Sequence, residues 1–181
     1  RPERAYARYM LGLSLWKSGR PGDAEQALRQ AAELNPDSVR TWVNLSRVLN
    51  EKGEFEAALE AAEQARRIDE GHPQALYLQA RSLFNLERFD DSKVAVEQAL
   101  AFDPEYGHAY NLLGLIGIRC NRYEEAAESL ASAARFEPDL AFVQANHGRA
   151  LELAGRHDEA IQAFTAALAI NPEHGAARAG L

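Results

Sequence analysis

The sequence predicts an all-α chain, a solenoid of stacked helix-turn-helix repeats. Three regularities predict it. Pro36, Pro104, Pro138 and Pro172 stand on one ladder with a step of 34 residues. Gly19, Gly53 and Gly155 stand on a second ladder with the same step, each about 17 residues ahead of a proline rung. Small and bulky apolar residues return in the same phase between them. Proline drives the residue before it out of the helical region and cannot continue the helical hydrogen bonds, so each proline rung closes one helix and frees the next. Glycine accepts the left-handed geometry that ends a helix. Each repeat is therefore helix, tight turn, helix, loop.

Five repeats follow in order, 5–38, 39–72, 73–106, 107–140 and 141–174, with 175–181 left over. In the first, Gly12 is the small residue of the leading helix, Gly19 the turn, and "AAELNP" the ending. The second has Ser46, Gly53 and Ala58, and its proline rung is replaced by Glu70 with Pro73 just beyond. The third carries Ala80, then Glu87 on the glycine ladder, and ends in "ALAFDP". The fourth carries Gly114, then Asn121 on the glycine ladder, and ends in "SAARFEP". The fifth has Gly148, Gly155 and "ALAINP". Counting each repeat from its first residue, position 8 is always small (Gly12, Ser46, Ala80, Gly114, Gly148), and so are positions 20 and 27. Position 24 fills the space between helices with Leu28, Ala62, Val96, Leu130 and Phe164. Position 17 carries Phe55, Phe89 and Tyr123 in the middle repeats, placed to plug the helix-helix corner.

These residues resemble the tetratricopeptide repeat signature of Trp, Leu, Gly and Tyr, then Ala, Phe and Pro. "WVNLSRVL" at 42–49 matches with Ser46 in the glycine slot, and "YNLLGLIG" at 110–117 supplies Tyr110, Leu113 and Gly114. Five in-phase matches span residues 5–174. Departures occur at position 4, where Arg8, Leu76 and Gln144 replace the aromatic, and at position 7, where Gln79 and His147 replace leucine. The resemblance implies a right-handed α-α superhelix forming a single domain over 1–181, with the first helix of each repeat lining a concave face. The remainder, 175–181, reads either as a capping stub or as the beginning of a sixth repeat cut within a longer array. The start at Arg1 rather than Met reads as a fragment or processed form.

Composition narrows the function classes. The chain has 46% apolar and 26% charged residues and a formal net charge of −7, the profile of a folded chain rather than a disordered one. No stretch approaches the roughly 18 apolar residues that a membrane helix needs, so no direct membrane insertion is expected, and no signal peptide is visible. The compartment stays open. Net acidity argues against a general nucleic-acid binder. A lone cysteine, Cys120, makes an intrachain disulfide and a four-cysteine zinc site impossible. No histidine pair has metal-ligand spacing. His72, His157 and His174 fall in loops or at turn edges, and His147 occupies a core slot as a hydrogen-bonded core residue. Cys120 reads as a structural thiol without a nearby base. "GRPGD" at 19–23 lacks the lysine and the strand of a phosphate loop. Neither catalysis nor a cofactor or metal is expected.

The resemblance implies that positions 2, 5, 9, 12 and 13 point into the groove. The resulting set includes Tyr6, Tyr9, Trp16 and Lys17; Arg40, Val43, Arg47, Asn50 and Glu51; Tyr77, Arg81 and Phe84; His108, Asn111 and Arg119; and Phe142, Ala145, Arg149 and Glu152. Position 6 adds Asn44 and Asn146, rungs of a partial asparagine ladder that Met10, Leu78 and Leu112 interrupt. The groove set holds six Lys or Arg against two Glu, although the chain has 20 basic and 27 acidic residues. Acidic side chains concentrate on the second helices instead. A solvated charge on a long stem accounts for any one arginine. Taken together, arginine forks and aromatic faces point to a protein or peptide partner with acidic groups. The two-carboxylate clamp of some relatives is absent, because Tyr9, Leu13, Gln74 and Leu78 stand where its residues would be. Two other readings remain: a helical arm of a larger glycosyltransferase-like enzyme, and an assembly scaffold that self-associates through its end repeats.

Overall fold

The computed structural model describes residues 2–181, and all of its regular structure is helical. Two compact units divide the chain, 1–102 and 103–181. The first holds three helical hairpins: α1 (Pro2–Lys17) with α2 (Pro21–Leu34), α3 (Val39–Lys52) with α4 (Phe55–Ile68), and α5 (Pro73–Asn85) with α6 (Phe89–Phe102). The second holds α7 (Gly107–Arg119) with α8 (Tyr123–Phe136), α9 (Ala141–Leu153) with α10 (His157–Ile170), and a short α11 (Gly175–Ala179). Within each unit every second helix also packs on the next first helix, as a solenoid requires.

The turn ladder is real at all five rungs. Gly19, Gly53 and Gly155 have φ of 71°, 80° and 78°, and Glu87 and Asn121 have φ of 60° and 59°. The side chains at the last two rungs therefore occupy left-handed geometry that glycine takes without steric cost. At the other end of two hairpins the side chain before the rung proline closes the loop: Asp103 Oδ1 accepts from the Glu105 amide at 3.2 Å, and Asn171 Oδ1 from the Glu173 amide at 3.1 Å. His72 and His174 are not merely solvated loop residues. Each is the N-cap of the helix that follows, with Nδ1 accepting a backbone N–H at 3.3 Å, from Ala75 and Ala177 respectively.

Inside the hairpins, position 8 sets how close the helices come. A Cβ on Gly12 would lie 2.7 Å from Leu28, one on Gly114 2.4 Å from Leu130, and one on Gly148 2.7 Å from Phe164. Where position 24 is smaller, position 8 is larger: Ser46 is in register with Ala62 and Ala80 with Val96. A hydroxyl then links the two helices. Ser46 Oγ donates to the Ala58 carbonyl at 2.8 Å, and in the next hairpin the direction reverses, with Ser92 Oγ donating to the Ala80 carbonyl at 2.7 Å.

In the first unit the core runs through Ala24, Leu28, Leu45, Leu49, Ala58 and Ala61, and continues through Val43, Ala62, Ala65, Ala75 and Leu78. In the second it centres on Leu130, Ala145, Leu151, Ala163 and Phe164, and α11 contributes buried Ala177. The position 4 departure at Gln144 keeps one interaction of the usual aromatic. Trp42 Nε1 donates to the Pro36 carbonyl at 2.7 Å, and Gln144 Nε2 donates to the Pro138 carbonyl at 3.4 Å, six residues back in both cases.

Gly114→Ala is expected to lower stability by about 1–3 kcal/mol, the cost of overpacking against Leu130. Gly53→Ala is expected to cost about 1–2 kcal/mol through left-handed strain alone. Urea denaturation of each variant checks both, and a loss in Gly53→Ala as large as that of a core Leu→Ala change would exclude a purely local turn effect.

Candidate functional site

On the first-helix side of the first unit, α1, α3 and α5 bring most of the expected residues together. Tyr6 is exposed, and its ring centre lies 6.4 Å from that of half-buried Tyr9. Asn44 Nδ2 donates to Tyr9 Oη at 3.3 Å and to the Arg40 carbonyl at 2.8 Å, while Asn44 Oδ1 accepts from Arg47 Nη1 at 3.3 Å. Both polar atoms of Asn44 are thus engaged, and its role is to orient Arg47. The Arg47 guanidinium lies over Trp16, 5.3 Å from the ring centre. Trp16 Nε1 in turn donates to Glu51 Oε2 at 2.5 Å, so the one acidic side chain of the expected set here is tied to the indole.

The cluster continues to α5. Burial pushes the Tyr77 hydroxyl above the usual tyrosine range, and the positive charges of Arg81 and Arg47 and a hydrogen bond with Arg81 only partly oppose it. Phe84 is half-buried with its ring edge-on to Phe89, centres 5.6 Å apart, so the position 17 aromatic does plug this corner. Lys17 and Arg40 are exposed nearby in the repeat order.

Charge pairing separates the two sides of this unit. Arginines at the start of second helices hold the acid three residues on: Arg20 with Asp23 and Arg88 with Asp91, both at 2.6 Å. Glu25, Lys52, Arg29 and Glu54 form a further network. Burial raises the Glu25 carboxyl, but hydrogen bonds from Lys52 and Arg29 outweigh it and hold it below the usual carboxylate range. Among the described residues, Lys17, Arg40, Arg47 and Arg81 lie in no ion pair.

The second unit differs. Asn111 is buried, and its Oδ1 accepts from Asn146 Nδ2 at 2.8 Å, so the two expected amides satisfy each other. This bond spans 35 residues, as does the one from Asn44 to Tyr9. Arg149 pairs with Glu152 at 2.8 Å. Phe142 is exposed and edge-on to His108, centres 6.2 Å apart, and His108 Nδ1 lies 3.2 Å from Glu137. Arg119 is exposed at the end of α7. Positions 5 and 12 turn inward more than expected: Val43, Ala145 and Asn50 are buried, and Asn50 Nδ2 donates to Ser82 Oγ at 2.9 Å.

Tetratricopeptide repeat patterns match residues 9–73 and 77–141, and a second form of the pattern matches 141–174. The chain belongs to the tetratricopeptide repeat family. No curated protein matches it. Among solved structures it is similar to TTC0263, a thermophilic tetratricopeptide repeat protein of Thermus thermophilus, at 20% identity over 97% of this chain and 95% of that one, with a TM-score of 0.82. It is also similar to PilF of Pseudomonas aeruginosa, at 21% identity over 93% and 77%, with a TM-score of 0.82. A third similar structure is YrrB, described as having an unusual peptide-binding site, at 18% identity over 95% and 89%, with a TM-score of 0.70. These likenesses establish the fold, and the family to which the repeat patterns assign the chain is one of protein–protein interaction scaffolds. Such proteins are generally scaffolds rather than enzymes. No helix among the described residues is long and apolar enough to cross a membrane.

His147, at position 7, is half-buried on α9 beside Arg156 and Glu159 of the following hairpin arm. Burial and the Arg156 charge push its pKa down, and Glu159 opposes them. The folded chain thus binds the proton less well than the unfolded chain, whose histidines titrate near about 6.5. Stability is present above that pH and is lost as pH falls through it towards the folded value. His147→Leu is expected to reduce the loss of Tm between pH 7.5 and pH 5.5. An unchanged pH slope in this variant would assign the acid sensitivity to other groups.

Proposed function

We propose that the first-helix side of the first unit binds a segment of a partner protein through its carboxylates. The observation that carries this reading is that Lys17, Arg40, Arg47 and Arg81 stand without carboxylate partners on this side, whereas Arg20, Arg29 and Arg88 on the second-helix side each hold one. Arg47 is already oriented by Asn44 and Trp16, and Arg81 by Tyr77, so little side-chain freedom remains to be lost on binding. A guanidinium held in this way offers its planar fork to a carboxylate, and the aromatic faces of Tyr6, Tyr9 and Trp16 supply apolar contact beside it. Glu51, tied to the indole, does not occupy the arginine forks. The peptide-binding description of YrrB supports a peptide as the ligand form.

In the second unit Arg149 is neutralised by Glu152, and Asn111 and Asn146 are joined, so the acidic-group reading rests on the first unit. Phe142 and Arg119 are proposed as contacts of the second unit with a partner segment, on grounds of exposure alone.

The test is affinity capture of partners from a lysate by the parent chain and by the Arg47→Glu/Arg81→Glu variant, followed by titration of the captured protein. Binding by the parent is expected to weaken with rising salt, and the double reversal to lower affinity by on the order of ten-fold or more. Equal affinity for parent and variant would rule the site out.

A further inference from the structure

A second donor-rich site lies on the opposite side of α5 from Tyr77 and Arg81. It begins with the departure at position 7. Leu45 is buried at this position in the second repeat, whereas Gln79 takes its place in the third and is half-buried. Gln79 Oε1 accepts from Arg66 Nη1 at 2.6 Å. Arginine offers only donors, so the amide oxygen must face it and the amide nitrogen must face away. That nitrogen has no protein partner among the described residues. Arg66 Nε is enclosed and also lacks a hydrogen-bond partner.

Two adjoining depressions of about 340 and 290 Å³ share Glu63, Arg66 and Gln79; the first lies against α4 and α5, and the second extends to α6. Arg67 lines the first, and exposed Val94 lines the second. Glu63 and Glu70 also line the furrow, yet neither forms an ion pair with Arg66 or Arg67, while Arg88 and Asp91, which line the second depression, pair with each other. The unfilled group that a ligand can reach is therefore a donor, the Gln79 amide nitrogen, since Arg66 Nε is shut off from solvent, and the site calls for an oxygen acceptor. The glutamates disfavour a multiply charged anion such as phosphate and favour one carboxylate on an otherwise neutral segment. Leucine at position 79 would supply none of this, because it would close the floor with apolar surface.

We propose that this furrow is a second recognition site, which takes a glutamate or aspartate side chain of a partner protein against the Gln79 amide nitrogen, beside the Arg66 guanidinium that orients that amide. The adjoining Val94 surface receives the carbon chain beside it. The site is separate from the first-helix cluster, since none of Lys17, Arg40, Arg47 and Arg81 lines it, although α5 contributes Gln79 and Leu83 to it.

The experiment follows the arginine Nε–H and glutamine amide signals of the ¹⁵N-labelled full chain by NMR. The probes are two acetylated, amidated peptides, Ala-Ala-Glu-Ala-Ala and the same peptide with Gln for Glu. The Arg47→Glu/Arg81→Glu chain is the background, so that failure here and failure of the first site are read separately. The Glu peptide is expected to shift the Arg66 and Gln79 signals saturably, at least three-fold more tightly than the Gln peptide. Gln79→Leu is expected to abolish the shift of Arg66 while keeping a Tm at or above that of the background chain, which shows that the fold is intact. Equal response to both peptides, no response at Arg66 and Gln79, or an Arg66 shift that survives Gln79→Leu would each overturn the proposal. Shifts spread equally over Arg20, Arg29 and other arginines outside the furrow would overturn it too, as charge screening.

Discussion

The close approach of two helices at repeat position 8 is the constraint on which the structure depends. Gly12, Gly114 and Gly148 leave no room for a Cβ because Leu28, Leu130 and Phe164 occupy that space. Elsewhere the volume is shared differently, and Ser46 and Ser92 use a hydroxyl to reach the facing backbone. Five hairpins thus solve one packing problem with different side chains, as expected where total volume matters more than identity. Because each hairpin closes in the same way, the first helices of a unit follow one another along one side. That row makes a shared binding surface possible within the unit.

Electrostatics then distinguishes the two sides of the first unit. At the starts of second helices, arginine and a carboxylate three residues on neutralise each other at the surface. Such exposed pairs contribute only about 0–1 kcal/mol to stability. On the first-helix side, tryptophan, tyrosine and asparagine hold the arginines, and these residues position the charge without cancelling it. A cation–π contact keeps a guanidinium oriented while leaving its edge available, which a salt bridge does not. The second unit keeps the asparagine contact across 35 residues but neutralises its arginine, so the same framework carries different charge in its two parts.

Position 7 illustrates the cost of polarity in a repeat core. Leu45 is buried there in the ordinary way. His147 loses proton affinity from partial burial, and Gln79 is held by Arg66 while its amide nitrogen is left over. Leucine at either site would bring neither a titrating ring nor an unfilled donor. These two departures from the repeat pattern are where stability and chemistry diverge.

Much of the fold was legible in the amino-acid order. The proline and glycine ladders placed every turn, including the two rungs held by Glu87 and Asn121, because backbone geometry at a helix end is a local property. The small residues at position 8 predicted close helix packing for the same reason. The side-chain assignments needed the fold. Asn111 was expected in a groove and is buried against Asn146; Asn50 serves the core; His72 and His174 cap helices instead of standing in solvent. The pairing of Arg149 with Glu152 and the isolation of Arg47 also came from the structure alone. Periodicity reports which residues share a helical face, but whether a charge is cancelled depends on atoms brought within a few ångströms by packing between repeats. Sequence by itself therefore determined the repeating hairpin and its turns, and tertiary structure decided which of its cations remain unpaired.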